Sequence, residues 1–97
     1  MGGEIRHVCL FRLGRSLTEA DRSGLERFAA KILESLDGVR TYRFVANRSL
    51  KGAGFDLVLD SSFASEAALT AYREAPLHDA LAGFMAGFVE QTIVADF

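Results

Sequence analysis

Three features of this 97-residue chain predict an α+β domain of the ferredoxin-like βαββαβ plan, its second helix split at Pro76. Segments of period two and period 3.6 follow one another as strand, helix, strand, strand, helix, strand. One proline interrupts the second helical pattern. No repeat, low-complexity tract or linker divides the chain, so residues 1–97 read as a single domain.

The first strand is "EIRHVCLFRL", where Ile5, His7, Cys9, Phe11 and Leu13 alternate with Arg6, Val8, Leu10 and Arg12. A helix follows, opened by Thr18 as N-cap with Asp21 three residues on. Its positions Leu25, Phe28, Ala29, Ile32, Leu33 and Leu36 repeat at helical spacing. Asp37-Gly38 stops it, because glycine accepts a positive φ beyond a helix end. "VRTYRFVAN" from Val39 is the second strand, and the loop "KGAG" leads into a third, "FDLVLDSSF".

A second helix begins at a cap on Ser62 or Ser65 and carries Leu69 and Tyr72. Pro76 biases Ala75 toward extended geometry and suits the first turn of a new helix. That helix runs through Leu77, Leu81, Phe84 and Phe88, with Gly83 and Gly87 expected to pack closely against a strand or loop. "EQTIVADF" closes the chain as the fourth strand.

Right-handed crossovers place both helical segments on one side of the sheet. The other face should then be polar if it meets water. Yet Val8 and Leu10 oppose Cys9, Phe11 and Leu13, while Tyr42 and Phe44 oppose Val39 and Val45, so both faces carry apolar side chains. A second copy of the sheet is the simplest cover, and a homodimer with sheets face to face is expected. Composition agrees: 49% of residues are hydrophobic, eight of them Phe, in a domain whose size allows burial of only about 60–68% of its unfolded surface.

A net charge of −2 and a pI near 5.6, with scattered Lys and Arg, leave no electrostatic footprint for nucleic acid or an anionic membrane. The longest uncharged run, residues 80–89, is about half a membrane span. "MGGEIRH" has no signal-peptide run, and a single cysteine suits a reducing cytoplasm. "NRS" at 47–49 reads as a chance sequon without a secretory signal. Two histidines 71 positions apart (78 minus 7), with no close Cys/His/Asp spacing, argue against zinc. "KGAG" lacks the Lys and Ser/Thr of a phosphate loop and reads as a flexible turn region that could act as a lid. No motif for a flavin, nicotinamide or haem is present, so no cofactor is expected.

Four stretches, "RHVCLFRL", "GFDLVLDSSF", "AYREAPLH" and "VADF", resemble the stress-responsive dimeric α/β-barrel family known as Dabb, in the right order and over nearly the whole chain. The resemblance implies a ferredoxin-like protomer, a dimeric barrel and a cavity between sheet and helices. Some plant members, of the olivetolic acid cyclase type, close a linear polyketide by aldol condensation without a cofactor. Their functional Tyr and His fall on Tyr72 and His78, and their strand-one histidine on His7. Leu57 stands where those cyclases carry another pocket histidine, and Ala75 where many relatives have one, which leaves the substrate open.

His78 would sit in the first turn of the helix opened by Pro76, where the partial positive charge of the helix end favours a neutral, proton-accepting imidazole. Tyr72 could donate to a substrate carbonyl as enolate charge develops. On the resemblance, Asp96 would hold His78 in one tautomer and join His7 in contacting substrate. A plainer reading stands beside this one: Tyr72 is also where a helix presents a core aromatic, and His78 could bond a carbonyl beside the turn. Cys9, within an apolar strand, reads as structural. Asp56 and Asp60 read as solvated or paired with Arg6 and Arg12. Three functions follow: a small-molecule-binding barrel without chemistry, a cofactor-independent polyketide cyclase-like enzyme using Tyr72 and His78, and, less well matched, a cofactor-free monooxygenase.

Overall fold

The computed structural model describes residues 3–97. Its elements run β1 (Ile5–Leu13), α1 (Glu19–Ser35), β2 (Val39–Ala46), β3 (Leu57–Phe63), α2 (Glu66–Glu74), α3 (Pro76–Met85) and β4 (Val89–Asp96). The four strands form one antiparallel sheet ordered β2-β3-β1-β4, the ferredoxin-like plan. No helix among the described residues is long and apolar enough to cross a membrane.

Local chemistry accounts for the element ends. Thr18 and Asp21 form a reciprocal capping box: the Asp21 amide donates to Thr18 Oγ1 at 3.1 Å and the Thr18 amide to Asp21 Oδ2 at 2.8 Å. Arg15 also donates to Asp21 at 2.6 Å, and this bond, with those from Thr18, holds the carboxyl well below its ordinary range. Gly38 ends the α1 connection at φ 84°, where an added Cβ would also meet Ala68 at 2.6 Å. Of the two serines expected to cap α2, Ser65 does so, accepting from the Ala68 amide at 3.1 Å. Ala75 then turns extended at ψ 140° and Pro76 opens α3.

Register sorts each strand into two faces. Toward the helices stand the rows Tyr42–Ser61–His7–Asp96 and Phe44–Leu59–Cys9–Val94. With Leu25, Ile32, Leu69, Leu81 and Met85 from the helices, the middle of this face makes the core. Ile32 and Phe63 have no exposed surface, each burial being favourable by roughly 1.5–3 kcal/mol.

The opposite face carries an apolar row, Val45–Val58–Leu10–Ile93, with Val8 and Ala95 beside it. Charges flank that row: Asp60 accepts from both Arg6 and Arg43, the latter at 3.1 Å. Burial raises the Asp60 pKa, but the two guanidiniums outweigh it and leave the carboxyl below its ordinary value. Arg12 joins no such pair among the described residues; its guanidinium lies 4.6 Å over the Phe55 ring.

The glycines correct the sequence reading. Gly83 has nothing within 4 Å of a built Cβ and Gly87 only Phe84 O at 3.5 Å, because both lie on the exposed side of the chain around α3. Close packing occurs instead at Gly24 on α1, where a Cβ would stand 2.3 Å from the Phe84 ring of α3.

Candidate functional site

A cavity of about 520 Å³ opens between the helix-facing side of the sheet and α2–α3. Apolar walls come from Phe11, Phe44, Leu59, Leu81, Met85 and Val89. At one end the polar side chains His7, Tyr42, Tyr72, Arg73 and His78 converge. An apolar body with a few converging polar groups is the ordinary form of a small-molecule site. Residues of "KGAG" do not line it, so that loop is no lid over this cavity.

Tyr72 and His78 do come together. The break at Pro76 folds α3 back so that the two rings meet edge to face, centroids 4.8 Å apart. His78 is partly exposed, and its Nδ1 is buried without a hydrogen-bond partner among the described residues; Asp79 Oδ1 lies 3.9 Å away. A buried ring nitrogen without a partner is costly unless a ligand or water supplies one.

Tyr72 Oη is 2.6 Å from Tyr42 Oη, a partner the sequence reading missed. Both rings are buried. Burial pushes the Tyr72 hydroxyl up to about 12, partly offset by its bond to Tyr42, and pushes Tyr42 higher still, with Tyr72 adding to the rise. Both hydroxyls keep their hydrogens, and either can donate in the pair, so one O–H of the two is left to point at a ligand. The parity of β2 is what hid this, since only the register of Tyr42 with Ser61, and of Ser61 with His7, fixes which way it faces.

Asp96 does not hold His78, contrary to the expectation from sequence. It is the cross-strand register partner of His7, and its Oδ1 lies 2.5 Å from His7 Nδ1. Its other oxygen accepts from Arg73 at 2.6 Å. Burial raises the Asp96 pKa, but these two bonds more than reverse it and hold the carboxyl below its usual value. A carboxylate can only accept, so Nδ1 of His7 carries the proton. Nε2 then accepts from the Cys9 thiol, 3.3 Å away. Both nitrogens of His7 are thus engaged within the protein. Leu57, at the position where the cyclase-type pattern has a histidine, pairs with Phe11 and lines no part of the main cavity.

The sequence profile of the stress-responsive A/B barrel domain (Dabb) matches residues 5–97, and the chain belongs to that family. No curated protein sequence matches it. Among solved structures it is similar to a Dabb family protein from Mesorhizobium loti, at 27% identity and TM-score 0.78 over 98% of this chain and 95% of that one. A dimeric ferredoxin-like protein of unknown function from Jannaschia gives TM-score 0.84 at 19% identity, covering 98% of each chain. A hydroxynitrile lyase from Passiflora edulis gives TM-score 0.82 at 14% identity, covering 100% of this chain and 94% of that one. At those identities the last two attest the shared fold.

Proposed function

We propose that this member of the stress-responsive A/B barrel family binds a small apolar molecule bearing a ketonic group, its carbonyl at the Tyr72–His78 end of the cavity. The observation that carries the reading is the Tyr72 hydroxyl, paired with that of Tyr42, beside a His78 ring nitrogen that has no partner among the described residues. Such a pair suits a carbonyl with an acidic α-proton: the phenol donates to the oxygen while the imidazole takes the proton. A second reading, cofactor-independent cyclase-like acid/base catalysis of aldol chemistry, uses the same two residues. The fold of a hydroxynitrile lyase is a precedent for chemistry on this scaffold, without bearing on the substrate.

Binding and catalysis separate in one experiment. With a linear β-diketone in heavy water, NMR reads both the Kd and the rate of α-proton exchange. Tyr72→Phe should weaken binding roughly tenfold, the cost of one lost carbonyl hydrogen bond. Accelerated exchange that falls at least about a hundredfold in His78→Ala would establish the catalytic reading. Binding without acceleration would leave the pure binder, and no binding of any ketone would end both.

The uncovered apolar row on the sheet supports a homodimer with sheets face to face, the state ascribed to several of the structural neighbours. Light scattering should give about twice the chain mass of 10.6 kDa. A monomer at micromolar concentration would contradict this. A cytoplasmic setting, where Cys9 stays reduced, completes the proposal.

A further inference from the structure

Cys9 is a nucleophile in the cavity wall that the ketone reading leaves unused. Its thiol, the His7 imidazole and the Asp96 carboxylate stand in series, at 3.3 Å and 2.5 Å. Sheet geometry fixes the series, since Cys9 and His7 share one face of β1 and His7 faces Asp96 across to β4. A nucleophile, a base and a group that orients the base make the general arrangement for activating a side chain toward covalent chemistry. We propose that Cys9 is a covalent capture site for uncharged α,β-unsaturated carbonyl compounds, with His7 as its base and Asp96 as the residue that positions and compensates His7.

Burial, followed by the nearby Asp96 charge, pushes the thiol up to about 12, so the resting group keeps its hydrogen. Nucleophilicity therefore arises during attack, as it does for a hydroxyl beside a histidine. The S–H proton passes to His7 Nε2 as a C–S bond forms at the β-carbon. The alkene electron pair moves to the α-carbon as an enolate, and the imidazolium returns the proton to that carbon. The net change is addition of S–H across C=C, with no oxidant or reductant.

The surroundings select the class. Leu59 and Val94 flank Cys9 across the sheet, and Phe11 and Phe44 line the same wall, so an uncharged electrophile enters at little desolvation cost. An anionic reagent bears the larger cost of desolvating its charge against that wall, offset only in part by Arg73 at the polar end.

Intact-mass spectrometry at pH 7 with N-ethylmaleimide, methyl vinyl ketone and anionic iodoacetate tests the assignment. The folded protein should gain one adduct with each neutral reagent, faster than with iodoacetate. Cys9→Ser should gain none. His7→Gln should slow the reaction at least about tenfold, and Asp96→Asn, at the exposed sheet edge where folding is least at risk, should slow it by less. An unmodified folded protein, or equal rates in the wild type and Asp96→Asn, would overturn the proposal. A chain that takes the adduct yet neither binds nor exchanges ketones would retain this site and lose the Tyr72–His78 reading.

Discussion

The two histidines share one cavity and live under opposite conditions. His7 is 5% exposed, held by Asp96 on one nitrogen and by the Cys9 thiol on the other. His78 stands at the start of a helix, partly open, with a buried nitrogen that no described residue satisfies. The difference shows that position on a cavity wall does not define a role. A histidine whose nitrogens are both occupied serves its neighbours, and one with a vacancy can serve a ligand.

The largest expected effect separates the two by readout. On the catalytic reading, His78→Ala should cut ketone α-proton exchange at least about a hundredfold while shifting stability by less than about 1 kcal/mol. His7→Ala should do the reverse, costing about 2–4 kcal/mol in a denaturant melt for a large buried side chain whose partners are left unpaired. Equal stability losses in the two variants would dissolve the comparison.

Tyr42→Phe comes next. It removes the hydrogen-bond partner of Tyr72, so exchange should fall about tenfold and stability by about 1 kcal/mol. Retention of full exchange activity would mean that Tyr72 needs no polarising partner.

The pH profile sharpens the contrast on a smaller scale. Cys9, Tyr42 and Tyr72 all hold their protons more tightly in the fold than at their ordinary values of 9.0 and 10.0. Their contribution to stability is therefore complete below about pH 9 and is lost as pH rises through the raised values. Asp96 and Asp60 have lowered values, so their contribution holds above the ordinary 3.8 and fades as pH falls below it. Thermal melts should show a plateau between these limbs, and Asp96→Asn should flatten part of the acid limb. An acid limb unchanged by that substitution would detach Asp96 from His7.

What the sequence made legible was local. The Thr18–Asp21 cap, the glycine at 38 and the proline at 76 each act within a few residues, and all three stand where the pattern put them. Pairing of Tyr72 with His78 was legible for the same reason, since six residues and one break separate them. The partner of Asp96 was not, because it rests on a β1–β4 register between residues 89 apart. Tyr42 stayed hidden behind the same uncertainty of strand parity. Gly24 was overlooked because its neighbour Phe84 lies on another helix.

Nitrogen-15 NMR of the two imidazoles during titration with a β-diketone tests the division of labour most directly. His7 should keep its Nδ1–H tautomer throughout, and the His78 nitrogens should shift as the ketone fills the cavity. A ketone that perturbs His7 and leaves His78 unmoved would contradict the account.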